Sequence, residues 1–292
     1  MGGKLGIHSL VFTDDWSGEN AAQSCRAAAE IGFELIEVLM FDPAQLDIAL
    51  TRRVVREAGL GLRLGMALGP DTDISSTDPD TARRGEETVA RCMEIASELE
   101  APAISGITYA AFNNYGAPPT VRQRTQVAES LTRLGRRAGE LGLRLGLEPV
   151  NRYESFLVNT LDEAAALIRE AGESNLFIHM DTFHMNIEEA DISAAIYRNA
   201  TLLGYAHVAD SNRGLLGGGH FDISGYCCAL EAIGYQGDMT VEAFSSRVLS
   251  SRLVGGIRLW REAWDDSIKA ARMAFDVLRA ARTGASAACR VW

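Results

Sequence analysis

The chain alternates short apolar runs of strand length with longer amphipathic runs of helix length, and it does so eight times. Strict βα alternation forces parallel strands joined by right-handed crossovers, which leaves few architectures open. Strands are predicted at Lys4–Leu10, Phe33–Leu39, Leu60–Leu68, Ala103–Thr108, Leu143–Glu148, Leu176–Asp181, Tyr205–Val208 and Asp238–Glu242. Helices are predicted at Asn20–Ile31, Ala44–Ala58, Asp78–Leu99, Thr120–Leu141, Leu161–Ala171, Ile192–Ala200, Ser224–Ile233 and Ile257–Arg282. Five of these end at a glycine (Gly32, Gly59, Gly142, Gly172, Gly234), as a left-handed C-terminal cap requires. Asp78-Pro79 reads as an N-cap with proline in the first turn.

Eight such units in 292 residues suit a single-domain (β/α)8 TIM barrel covering residues 1–292, since that fold takes about 250 residues. The alternative, an open doubly wound sheet, usually carries a Gly-rich turn after its first strand. Here the first strand runs into LVFTDDW, and the GLGLRLG run at Gly59–Gly65 enters a strand rather than leaving one. Residues 283–292 read as a small Ala-rich tail, frayed or docked on a neighbouring subunit.

Charge and cysteine usage narrow the function classes. Lys and Arg number 28 against 39 Asp and Glu, a net charge of −11. Such a chain repels phosphate backbones, which argues against nucleic-acid partners, while an acidic site attracts cations. No run approaches the roughly 18 apolar residues of a membrane span, and the first residues lack the long apolar core of a signal peptide. The five cysteines include no CxxC pair. They read as small apolar residues in a reducing cytoplasm.

In a barrel of this kind the chemistry sits at the C-terminal ends of the strands. Four consecutive strands end in LGLEPVN, IHMD, YAHV and TVEAF, and so bring Glu148, Asp181, His207 and Glu242 to one rim. Three carboxylates and an imidazole suit Mn²⁺, Mg²⁺ or Co²⁺ with positions open for substrate oxygens. The alternative is that each acid caps the helix that follows it. Glu154, His184 and Arg213 lie three to six residues beyond the same strands and could grip a polyol or α-hydroxy ketone. His179 shares strand parity with Asp181 and reads as core or as support for the site. His8 and His220 are weaker candidates. The Gly214–Gly219 loop reads as a lid or turn, with a phosphate cradle of backbone N–H groups as the alternative. No HExxH, GxSxG or GxxxxGK[ST] motif occurs.

The segments LEPVNRYE, MDTFHMNIEE, HVADSNR with GGGHFD, and VEAF resemble the ketose 3-epimerases, a family of the xylose-isomerase-like TIM-barrel superfamily that includes D-tagatose, D-allulose (psicose) and L-ribulose 3-epimerases. The resemblance spans nearly the whole chain, down to LWREAWDD, placed at the opening of the last helix. It departs at His8, where relatives often have an aromatic, at Phe112 in place of Trp, at Asp210 in place of Glu, and at VEAF in place of MEPF. The resemblance implies one divalent ion, usually Mn²⁺, held by Glu148, Asp181, His207 and Glu242. It implies that Glu154, His184 and Arg213 bind the C1–C2 end of the sugar, with Met66 and Phe112 lining the rest of the pocket. It also implies a homodimer or homotetramer acting on a small free ketose.

Epimerisation at C3 removes the proton α to the C2 carbonyl and returns one to the other face. Glu148 and Glu242 are the expected base and acid on opposite faces, and the ion would steady the enediolate charge. Other readings are an aldose–ketose or hydroxypyruvate-type isomerase on the same barrel, a sugar-phosphate epimerase, and a non-catalytic metal-bearing sugar-binding protein. A related barrel endonuclease with three zinc ions would want more than five histidines and a basic face. The fold alone does not separate these.

Overall fold

A computed structural model describes residues 2–288. In chain order its elements are β1 (Leu5–His8), α1 (Gly18–Ile31), β2 (Leu35–Met40), α2 (Ile48–Glu57), β3 (Gly61–Leu68), α3 (Pro79–Glu98), β4 (Ala103–Ala111), α4 (Val121–Glu140), β5 (Arg144–Leu147), α5 (Leu161–Ala171), β6 (Leu176–Asp181), α6 (Thr182–Glu188), α7 (Ile192–Asn199), β7 (Leu203–Val208), α8 (Ile223–Ala232), β8 (Asp238–Val241), α9 (Ser251–Gly256) and α10 (Ser267–Ala288). The strands are hydrogen-bonded in the order β1 to β8 and close into a barrel, the (β/α)8 fold expected from the alternation.

The five expected capping glycines all take positive φ, from 66° at Gly234 to 115° at Gly32. The Gly32 N–H returns to the Ala28 and Ala29 carbonyls, which closes α1. The Asp78 carboxylate accepts the Thr81 N–H and opens α3 with Pro79 in its first turn.

Two compact units are distinguished along the chain. The first takes Met1–Leu39, Asp47–Leu62 and Ala206–Trp292. In it β1 pairs in parallel with β2 (His8 opposite Glu37) and with β8 (Ile7 opposite Val241). Leu10, Phe244 and Leu249 form a buried cluster, against which Leu39, Val248 and Leu253 pack. The second takes Met40–Leu46 and Arg63–Tyr205. In it β3 to β6 run parallel, with a register shift between Ala67 and Leu68. Phe177 is, with Tyr109 and Tyr205, among its largest fully buried side chains. A Cβ on Gly146 or Gly204 would stand 2.6 or 2.5 Å from the Phe177 ring, so both strands give up a side chain to seat it.

The helices α6 and α10 differ from the predicted elements. The helix α6 follows β6 directly, where a loop was expected, because the Asp181 carboxylate supplies its N-cap. The last helix opens at Ser267 rather than Ile257. The short helix α9 ends at Gly256, Arg258 (φ 56°) breaks the helical run, and Trp264 is tied to Ser245 through both its N–H and its carbonyl. Asp266 then caps the helix through the Lys269 N–H. LWREAWDD therefore precedes α10 instead of opening it. At the other end α10 continues through the expected tail to Ala288, and residues 289–292 lie outside the described region. No helix among the described residues is long and apolar enough to cross a membrane. Cys25, Cys92, Cys227 and Cys228 are free thiols, and burial pushes Cys25, Cys92 and Cys227 up to about 12.

Candidate active site

In the second unit, β5 stops at Leu147, and the next N–H, that of Glu148, donates to the Gly106 carbonyl at 3.0 Å. Gly106 has φ 125°, and a Cβ there would lie 2.0 Å from the Met66 carbonyl oxygen. Only glycine lets β3 and β4 approach there. Glu148 is buried, with Oε2 3.8 Å from His179 Nδ1. His179 is itself fully buried against the Tyr205 ring. Asp181 ends β6 with no exposed surface. Its Oδ1 accepts the Phe183 N–H at 2.8 Å, while Oδ2 faces His184 Nε2 at 3.3 Å. The helix-cap alternative therefore holds for one oxygen of Asp181, and the other is turned to an imidazole. Donor atoms of Glu148, Asp181 and His184 all lie within 4.8 Å of one another, and all three residues are buried.

His184 is oriented from behind. Its Nδ1 accepts the Asn151 backbone N–H at 3.1 Å, so the proton of the neutral ring sits on Nε2. That Nε2 is 3.8 Å from Glu154 Oε2, and the Asn151 amide donates to Glu154 Oε1 at 3.1 Å. One asparagine thus locks both Glu154 and His184. Phe112 is half-buried beyond β4. The next residue, Asn113, donates its N–H to the Glu154 carbonyl at 2.9 Å, which places Phe112 beside the Glu154 loop. Met66 is buried and lines a cavity of about 380 Å³ with Met40, Ala67, Asp71 and Cys92; Phe112 is not part of that lining.

In the first unit, His207 lies near the end of β7 and Glu242 follows β8. His207 Nδ1 is 3.4 Å from Glu242 Oε1, and His207 Nε2 is 2.6 Å from Glu37 Oε2. Arg213 clamps Glu242 Oε2 through both Nε and Nη2, each at 2.7 Å. Burial opposes charge on Glu242, but the Arg213 guanidinium holds the carboxyl well below its usual range. Arg213 takes φ 55°, a left-handed conformation costing on the order of 1–3 kcal/mol for a residue with a side chain. It is kept there by its N–H to the Asp210 carbonyl, by its own carbonyl accepting the Phe244 N–H, and by its guanidinium over the Phe244 ring at 4.9 Å. His8 accepts the Leu10 N–H on Nδ1 and packs edge-on to His207 and Phe244. Burial lowers its pKa and keeps the ring neutral, against the opposite pull of Glu37 and Glu242.

The glycine loop turns out to enclose an anion of its own. The Asp210 carboxylate accepts the N–H groups of Ser211, Gly217 and Phe221 at 2.7, 2.8 and 3.3 Å. Burial opposes charge on Asp210, but backbone N–H groups, that of Gly219 first and then those of Ser211, Phe221 and Gly217, outweigh it and lower the Asp210 pKa. A Cβ on Gly219 would stand 1.9 Å from its Oδ1. The phosphate-cradle alternative is corrected accordingly: a side chain of the chain itself occupies those donors. His220 is exposed on the same loop.

Sequence reasoning missed Glu37 and Asn151. Glu37 had a signal. A charge in the middle of FELIEVL is anomalous for a parallel strand covered on both faces.

Residues 25–276 match the xylose isomerase-like TIM barrel family. Within that class, the chain is 34% identical to the L-ribulose 3-epimerase of Methylomonas sp. (strain DH-1), over 94% of this chain and 96% of that one. It is 37% identical to the ketose 3-epimerase of Arthrobacter globiformis, over 90% and 91%. It superposes on the crystal structure of D-allulose 3-epimerase from Methylomonas sp. in complex with D-allulose with a TM-score of 0.92, at 34% identity over 95% and 96% of the two chains. The chain belongs to the ketose 3-epimerases of the xylose isomerase-like TIM-barrel family. It is an enzyme of the isomerase class.

Proposed function

We propose that this chain interconverts free ketoses epimeric at C3, with L-ribulose and D-allulose as the first candidates, using one divalent ion held by Glu148, Asp181, His207 and Glu242. What carries the reading is the match, over nine-tenths of both chains, to relatives named L-ribulose and ketose 3-epimerase. The donor set fits such an ion. Asp181 and Glu148 are buried carboxylates beside imidazoles, and Glu242 is a buried carboxylate kept ionised. Uncompensated, buried negative charges of this kind are costly. The four residues stand at or next to the ends of strands that are consecutive in the barrel, β5 to β8. Because the set draws on both compact units, the proposal takes the chain as one catalytic domain. Mn²⁺ is the ion we expect, by the same family likeness.

When bound, the ion supplies a Lewis acid that polarises the ketose carbonyl. The side chains do the rest. Glu148 and Glu242 exchange the C3 proton, one removing it from its face of the sugar and the other returning a proton to the opposite face. Arg213 keeps Glu242 ionised and aimed, and the Asn151-locked pair of Glu154 and His184 fixes the C1–C2 end. By the family likeness Met66 and Phe112 meet the distal end of the sugar, although Phe112 is not part of the cavity that Met66 lines, with His8 near the reacting end.

The test is incubation of chelator-stripped and Mn²⁺-restored enzyme with L-ribulose, D-allulose, D-fructose and D-tagatose in D₂O. Metal-dependent C3 epimers carrying deuterium at C3 are the expected result. Deuterium at C1 with aldose product would point instead to the isomerase reading. Turnover of phosphorylated ketoses alone would point to a sugar-phosphate epimerase.

A further inference from the structure

We propose that Glu37 is a positioning residue that holds the His207 proton on Nε2 and thereby presents Nδ1 to the divalent ion. The inference rests on the metal reading given above and adds to it a residue on β2, a strand that supplies none of the four ligands.

Glu37 sits in the middle of β2, opposite His8 in the β1 register, and is 1% exposed. Burying a carboxylate there is expensive unless a charge-assisted hydrogen bond repays it. The Nε2···Oε2 separation of 2.6 Å is that bond. An ionised carboxylate only accepts, so the shared proton belongs to Nε2. In the neutral ring Nδ1 then carries the lone pair. Nδ1 faces Glu242 Oε1 at 3.4 Å, so a nitrogen lone pair and a carboxylate oxygen look at each other across a gap that suits a cation between them. With the opposite tautomer Nδ1–H would donate to Glu242 and close that gap. Strand β2 thus sets which nitrogen of β7 is available. A carboxylate behind a metal-bound histidine typically contributes 10–100-fold in metal affinity.

The Glu37→Gln variant separates this from a packing role, because it keeps the size and lets the amide either accept from Nε2 or donate to it. The experiment reads the His207 imidazole ¹⁵N shifts in the metal-free protein at a pH where the ring is neutral, assigned by their loss in His207→Asn. It also reads the Mn²⁺ affinity from the EPR signal of free Mn²⁺. Expected are an Nε2–H ring in the wild type, a tautomer mixture in Glu37→Gln, and Mn²⁺ binding weakened about 10–100-fold with the melting temperature little changed. An Nδ1–H ring in the wild type overturns the proposal even if the variant does not fold. So does an Mn²⁺ affinity in Glu37→Gln within twofold of wild type. A wild type that binds no Mn²⁺ overturns the metal reading and this inference together, and shows it before any variant is made. A wild type that binds Mn²⁺ yet turns over no ketose overturns only the epimerase reading, and the expected tautomer and affinity changes then still support Glu37.

Discussion

The site residues at the ends of β5 and β6 are held differently from those at the ends of β7 and β8. Around His184 and Glu154 the holding groups include the backbone N–H and side-chain amide of Asn151, and Asp181 is steadied by the Phe183 N–H. Around His207 and Glu242 the holding groups carry full charge, with the Glu37 carboxylate on one and the Arg213 guanidinium on the other. Neutral donors fix where a group points and which ring nitrogen is protonated. Charged partners also fix whether the group is ionised. Glu242 is therefore the residue whose ionised state is built in.

Mutations sharpen that contrast in order of size. Glu148→Gln and Glu242→Gln should each cut turnover by about 10²–10⁴-fold, read as loss of C3 deuterium incorporation. A variant of either that retains near-normal turnover would break the acid–base assignment. Next, Arg213→Gln should lower kcat/KM by about 10²-fold, since removing one partner of a buried ion pair strands the other. Asn151→Ala should be milder, about tenfold and mainly in KM, because it removes a hydrogen bond from a neutral amide to the Glu154 carboxylate, worth about 1.5 kcal/mol, and keeps the backbone N–H to His184. If Asn151→Ala proved as damaging as Arg213→Gln, charge would not be what separates the two regions. The smallest effect is expected at Asp210→Asn, which should lower the melting temperature by about 4 °C near pH 7. Asp210 has a depressed pKa in the fold, so its stabilisation is full above the unfolded value of about 3.9 and is lost as pH falls through the folded one. The gap between wild type and variant should therefore shrink below about pH 4 in thermal melts.

Much of the barrel was legible from periodicity, because each βα unit declares itself with an apolar strand and a glycine that only a left-handed cap explains. Glu148, Asp181, His207 and Glu242 stood out as candidates because a polar residue at or just beyond the end of an apolar strand falls on the rim. What escaped depends on contacts between segments far apart in sequence. The start of α10 is set by Ser245 holding Trp264, and no local pattern in LWREAWDD announces that. The reach of Asn151 to His184 spans a whole βα unit. α6 escaped because one oxygen of Asp181 caps it while the other faces the site, and pattern reading assigned the residue a single task.

The carboxylate of Asp210 at the centre of its glycine loop has a consequence for selectivity. Such loops elsewhere present empty N–H groups that compete for any free phosphoester in the surroundings. This one arrives already saturated, with a negative charge where a phosphate would have to sit. Millimolar inorganic phosphate should therefore leave the rate unchanged, because the loop meets a phosphoester with a negative charge of its own.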